Sequence, residues 1–308
     1  MATIDKIEQL QNQSKSDPSN FQARRKLAML LLDNGYKEEA LANFLHLAEI
    51  FKEDSEIFYN IGIVYEKMKD LNNAEKYYKK AIEFAPEDVD AYYNLGLVYT
   101  DKGEFNKAVD CFETVLDTDN DDSNTYFNIG ICYFKQKKNE SAKYYFERTT
   151  QLNNEDLYAH FYLGNIEMQA QNFDLARQHF EKVLEISPDY SWAYYNLAVM
   201  DYKEGLVDEA LEKLSQTVYY NPKDLDAYKI WAQILYKEDA YDEAIQLLQS
   251  LLEKFGENGD LYYLLGECFN GAGDPEQAKE FLSLALKNYH TLSYDINLVK
   301  EKINKISL

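Results

Sequence analysis

Apolar residues recur every three or four positions in short blocks along this chain. One block is Tyr92, Leu95, Val98 and Tyr99; the next is Phe105, Ala108, Val109, Phe112, Val115 and Leu116. Each spacing puts its apolar residues on one stripe of a helix of about three turns. Between the blocks, "DKGE" places Gly103 where a helix end favours a left-handed residue, and Gly35, Gly205 and Gly273 share that column. Pro86, Pro188 and Pro222 close the second block, since proline cannot continue a helix. The pattern predicts an all-α chain of helix pairs.

The pairs repeat. "FYNIGIVY" from Phe58 returns as "YYNLGLVY" from Tyr92 and "YFNIGICY" from Tyr126, and more loosely as "YYNLAVMD" from Tyr194. The clearest column is Ala40, Ala74, Ala108, Ala142, Ala176, Ala210, Ala244 and Ala278, with 34 residues between neighbours and no insertion. A fixed period of this size marks a stacked repeat architecture. The units span 21–54, 55–88, 89–122, 123–156, 157–190, 191–224, 225–258 and 259–290. Position 8 of each unit is always small (Gly62, Gly96 and Gly130 among them) and position 20 is always Ala, so two backbones can approach closely. The bulky position 24, for example Phe112, fills the space beside them. One pair cannot bury both of its faces, so neighbours must stack and the ends need covers. Ile4, Ile7 and Leu10 predict a capping helix within 1–20. Ile296, Val299, Ile303 and Ile306, with Lys300, Lys302 and Lys305 on the other faces, predict a second one within 291–308. The expectation is an array complete with both caps.

Composition narrows the function classes. The formal net charge of −22 repels nucleic acid and anionic membranes and favours neutral or basic partners, or only keeps a long helical surface soluble. The first residues carry no apolar secretory segment, and no run has the length of a membrane span. Cys111, Cys132 and Cys268 form no paired motif and read as buried thiols in a reducing cytoplasm. His46, His160, His179 and His290 stand outside ligand spacing of one another, so no metal or other cofactor is expected. Phosphate loops, nucleophile elbows and zinc-protease motifs are missing, and with no visible site the chain is not expected to be an enzyme.

The alternation of aromatic, Leu/Ile-Gly, Tyr, Ala, Phe and Pro over 34 residues, from Phe21 to about His290, resembles the tetratricopeptide repeat. That resemblance implies antiparallel helix pairs wound into a right-handed superhelix, with the first helix of each pair lining a concave groove through positions 2, 5, 6, 9, 12 and 13. Position 5 supplies Tyr59, Tyr93, Phe127, Phe161 and Tyr195; position 6 supplies Asn60, Asn94, Asn128 and Asn196. A side-chain amide holds one acceptor and two donors, so a ladder of amides can grip an extended peptide backbone, with aromatics adding area. Packing of neighbouring helices is the competing explanation. Superhelical family members use such ladders. The family's clamp for a C-terminal carboxylate is broken here, because Met29 and Asp90 stand where the Asn and a base belong beside Arg25 and Asn60.

Units five and six depart from the pattern. Tyr158, Phe161, Tyr162, Asn165, Trp192, Tyr195 and Asn196 are expected to form a specificity patch, since local rules tend to break at functional sites. Glu167 and Asp201 replace the usual apolar residue at position 11, either meeting a basic partner or lying solvated. The expected function is a non-catalytic adaptor for an extended protein segment, neutral to basic. The alternatives are a self-assembling homo-oligomeric scaffold and the recognition subunit of a separate enzyme.

Overall fold

The computed structural model describes residues 2–306; Met1, Ser307 and Leu308, the outermost positions of the expected caps, lie outside the described residues. The chain divides after Ile166 into two compact units.

The first unit holds α1 (Ala2–Ser16), α2 (Phe21–Asp33), α3 (Lys37–Ile50), α4 (Ser55–Lys67), α5 (Leu71–Phe84), α6 (Val89–Asp101), α7 (Phe105–Thr118), α8 (Ser123–Lys135), α9 (Asn139–Leu152) and most of α10 (Leu157–Gln169). The second holds the end of α10, then α11 (Phe173–Ile186), α12 (Ser191–Lys203), α13 (Val207–Tyr220), α14 (Leu225–Lys237), α15 (Tyr241–Phe255), α16 (Gly259–Gly271), α17 (Pro275–Lys287), a 3-10 turn (Tyr289–Thr291) and α18 (Ile296–Lys305). No strand occurs among the described residues.

Short polar side chains start the first helices. Asn20, Asp54, Asp88 and Asp122 accept backbone N–H bonds from Ala23, Ile57, Ala91 and Asn124, and Asp224 accepts from Ala227. Each such cap stabilises its helix by about 1 kcal/mol. From α2 to α16 the first helices begin 34 residues apart. The turn inside each pair is a second column. Gly35, Gly103, Gly205 and Gly273 hold positive φ, and so do Lys69, Lys137, Gln171 and Asp239 in the other four pairs. The left-handed conformation costs a side-chain-bearing residue about 1–2 kcal/mol. There the amide of Asp70 reaches back to the Tyr65 carbonyl, and that of Lys138 to Tyr133, closing the helix end.

Inside the first unit the small-residue column has a measurable purpose. A Cβ added at Gly62 would sit 2.6 Å from the Tyr78 ring, at Gly96 2.6 Å from Phe112, and at Gly130 2.7 Å from Phe146. Those rings are fully buried and anchor the contact between the two helices of each pair. In the second unit Ala198 and Ala232 replace the glycine and Leu214 and Leu248 the ring, while Gly266 keeps the glycine, where a Cβ would sit 2.6 Å from Leu282.

Both caps differ in detail from the sequence pattern. On α1, Ile7 and Leu10 are buried in the core shared with α2, but Ile4 is exposed. In α18, Val299 is fully buried while Ile296 is exposed, and Lys302 is not a free surface lysine: it pairs with Glu267 of α16. The stretch Leu292–Asp295 before it is extended rather than helical. Its Ser293 donates through backbone N and Oγ to the Asp260 carboxylate, and Tyr294 stacks on Tyr263 with ring centroids 3.8 Å apart.

Candidate functional site

In the first unit, position 5 of one first helix meets position 6 of the next along α4, α6 and α8. The Asn94 amide donates to the Tyr59 hydroxyl at 2.9 Å, and the Asn128 amide donates to the Tyr93 hydroxyl at 2.9 Å. Two Tyr–Asn pairs therefore join α4 to α6 and α6 to α8. Asn60 has Arg25, not Tyr, at the matching place; its amide turns to its own helix and donates to the Glu56 carbonyl, and the side chain is buried. Asn165 donates to the Phe161 carbonyl in the same way.

The pairing leaves specific groups open. Each tyrosine hydroxyl accepts from an amide, so its own hydrogen remains to donate. Among the described residues no donor reaches the Oδ1 of Asn94 or Asn128. Burial raises the Tyr59 and Tyr93 pKa, with nearby acids such as Asp90 adding to the effect at Tyr59, so both stay protonated donors. Phe127 packs on Phe146 and Tyr162, which makes it half-buried support more than free surface. Tyr162 stacks on Phe146 at 5.1 Å, with planes 7° apart, and belongs to the core at the end of this unit. Tyr158 is 58% exposed.

In the second unit Trp192 is 48% exposed and packs edge-on against Tyr195, while Asn196 is buried and donates to the Trp192 carbonyl. The expected patch thus has four residues in the first unit and three in the second. The two acids at position 11 are neither solvated nor turned to a partner. Glu167 is buried and accepts from the Asn172 amide at 2.7 Å. Asp201 is 1% exposed; Arg177 lies 2.8 Å from its Oδ1 and Lys213 2.6 Å from its Oδ2. The chain supplies its own basic partners, which is what makes burial of this carboxylate tolerable. Arg25, in the first unit, is likewise occupied, with Asp54 at 2.5 Å and Glu56 at 2.6 Å. Burial pushes the Cys111 thiol up to about 11 and Cys268 to about 12, so neither is a reactive thiolate at neutral pH. Among the described residues no three His, Cys, Asp or Glu side chains converge to hold a metal.

Profiles of the tetratricopeptide repeat match residues 2–57, 55–88, 88–155, 127–191, 167–234 and 235–294. The chain belongs to the tetratricopeptide repeat family. Its eighteen described helices correspond to about eight repeats. No curated protein matches the sequence. Among solved structures, YrrB, a tetratricopeptide repeat protein with an unusual peptide-binding site, is 28% identical; the match covers 60% of this chain and 95% of YrrB with a TM-score of 0.51. A tetratricopeptide repeat protein from Parabacteroides merdae is 20% identical over 82% of this chain and 98% of its own, with a TM-score of 0.59. MamA from Desulfovibrio magneticus is 24% identical over 56% and 97%, with a TM-score of 0.53.

Tetratricopeptide repeats are typically non-catalytic scaffolds for protein–protein interaction, and this array has that architecture. No helix among its described residues is long and apolar enough to cross a membrane. One set of repeat residues was missed in the sequence. Position 9 of the first four repeats is aliphatic (Met29, Ile63, Leu97, Ile131), and all four side chains remain partly accessible beside the Tyr–Asn pairs. Their signal was the column itself: a position expected to face a ligand yet apolar four times running.

Proposed function

We propose that this chain is a non-catalytic adaptor that binds an extended segment of another protein along the first-helix face of its repeats. The observation carrying this reading is the repeated Tyr–Asn pair in the first unit, which leaves a hydroxyl donor at Tyr59 and Tyr93 and an amide acceptor at Asn94 and Asn128. An extended backbone offers a carbonyl and an N–H to match such a set. Met29, Ile63, Leu97 and Ile131 supply apolar area alongside. The exposed acids Asp90 and Asp101 on the same helix favour a neutral to basic segment there. The peptide-binding site in the name of YrrB agrees with this reading. Exposed Tyr158 and Trp192 act in each unit as aromatic anchors. Buried, protonated thiols fit a cytoplasmic compartment.

The test is a pull-down from host lysate with mass spectrometry, running wild type beside the Asn60→Ala/Asn94→Ala/Asn128→Ala variant. A partner retained by wild type and lost by the folded variant supports the ladder; identical retained sets sink it.

Self-association is the second reading, and one observation favours it. Tyr219 is 73% exposed and packs against Tyr220, which in turn stacks on Tyr194, forming an open aromatic cluster in the second unit. A monomer by light scattering up to high micromolar concentration removes this reading.

A further inference from the structure

Between α12 and α14 in the second unit lies a pocket of about 240 Å³, lined by Val199, Tyr202, Lys203, Ile230, Gln233, Ile234 and Lys237. These are positions 9, 12 and 13 of one first helix and 6, 9, 10 and 13 of the next, so the pocket opens on the first-helix face. Its floor is aliphatic. Its size falls below the roughly 300–1,000 Å³ of small-molecule and cofactor sites and suits a single side chain.

The rim is basic. No carboxylate lines the pocket. Several other cations of this unit are neutralised: Lys229 by Asp226 and Asp260, Lys213 by Asp201, Lys302 by Glu267. Lys203 and Lys237 have no ion pair among the described residues. Each ammonium lies over a ring instead, Lys203 over Phe173 at 5.7 Å and Lys237 over Tyr202 at 5.5 Å. Both lysines sit in the last turn of their helices, where the helix dipole favours a cation. The dipole accounts for lysine at these places, and both stand beside the apolar hole without an ion pair among the described residues.

The chain itself demonstrates how this face holds extended backbone. The segment around Ser293 and Tyr294 runs over α16, its backbone N–H held by Asp260, and the Tyr294 hydroxyl accepts from Gln233, a wall of the pocket. We infer that the pocket takes an aliphatic side chain from an extended segment of another protein, with carboxylate residues flanking it to meet Lys203 and Lys237. This inference rests on the peptide-binding reading above and names the chemistry of one subsite. The sign is opposite to that favoured at the Tyr–Asn pairs of the first unit.

Fluorescence anisotropy with three labelled heptapeptides tests it: one with Asp-Ile-Glu at its centre, one with Lys-Ile-Lys, and one with Asp-Gly-Glu. The first is expected to bind at least about tenfold more tightly than the other two, and to lose about tenfold on Lys203→Ser/Lys237→Ser or on Ile230→Asp. The Asn60→Ala/Asn94→Ala/Asn128→Ala variant, altered only in the first unit, should bind it as wild type does. Circular dichroism confirms that each variant is folded. Equal binding of the acidic and basic peptides, no response to the lysine substitutions, or no binding of the Asp-Ile-Glu peptide at millimolar concentration each overturns the inference. Loss of binding in the asparagine variant alone would support the ladder and count against this pocket.

Discussion

Asp201→Asn gives the sharpest test of the packing described above. The carboxylate is 1% exposed and held between two cations, Arg177 at 2.8 Å and Lys213 at 2.6 Å. An amide of the same shape can accept from one of them but must turn its NH2 toward the other. Removing one member of a buried pair costs about 3–5 kcal/mol when the remaining charge is sealed in. Here Arg177 and Lys213 keep 26% and 27% of their side-chain exposure, and Arg177 retains Glu204 at 3.0 Å. Water therefore recovers part of the loss, and about 2–3 kcal/mol is expected. The chain's two tryptophans, Trp192 in α12 and Trp231 in α14, both lie in the second unit. Tryptophan fluorescence in urea thus follows the unit that carries the change, while far-UV circular dichroism follows the whole array. This matters because repeat arrays need not unfold as one step. Asp208→Asn, on the exposed first turn of α13, is the control and should stay within about 0.5 kcal/mol of wild type. The neutral triple Arg177→Met/Asp201→Leu/Lys213→Met should recover most of the loss, since well-packed apolar residues often replace a buried ion cluster without penalty. A single Asp201→Asn variant within about 0.5 kcal/mol of wild type would refute the idea that these contacts hold the unit together.

Two further predictions address other contacts. Glu75 lies 2.6 Å from Lys79 and 2.5 Å from Lys102; burial alone would raise its pKa, but the two ammoniums outweigh burial and hold it at about 2 against an ordinary 4.5. A carboxylate depressed in the folded state stabilises fully above about pH 4.5 and loses that contribution as pH falls toward about 2, so the gap in urea midpoint between wild type and Glu75→Gln should close across that window. Gly259→Ala places a Cβ 2.6 Å from the Asn288 carbonyl oxygen and 2.9 Å from the Leu292 nitrogen. Both are backbone atoms, so a loss of about 1–3 kcal/mol and faster hydrogen exchange across 288–306 are expected; unchanged exchange would show that this contact does not hold the segment.

The helices were readable because their signals are local and periodic. The stripe through Tyr92, Leu95 and Val98 is decided within one helix, and the turn at Gly103 by one residue. The site was readable only as a set of columns. The hydroxyl of Tyr59 meets the amide of Asn94, 35 residues away, and no spacing within a repeat reveals which neighbour an amide will choose. Asn60 and Asn94 share a column, yet one bonds its own helix and the other the repeat before it, because only the second has a tyrosine opposite. Asp201 was misjudged for a related reason: an acid at an apolar position reads as exposed unless its cations are recognised, and they stand on other helices. The extended stretch at Ser293 and Tyr294 follows no period at all, and its fit depends on Asp260 and Gln233, far back in the sequence.

The polar contacts around position 11 have a consequence for how such a chain can be rearranged. In the first unit Glu75 of one repeat meets the Tyr99 hydroxyl and Lys102 of the next. In the second unit the equivalent three places read Arg177, Asp201 and Glu204, with the signs reversed. Both junctions join helices of the same geometry, yet they are not interchangeable. Grafting the repeat that carries Glu75 in front of the one that carries Asp201 would take Arg177 away and bring three carboxylates together, with only Lys213 and Lys79, one from each repeat, left to offset them. Repeats cut from this protein are therefore keyed parts: exchanging these two would keep every helix and mismatch the charges at the joint.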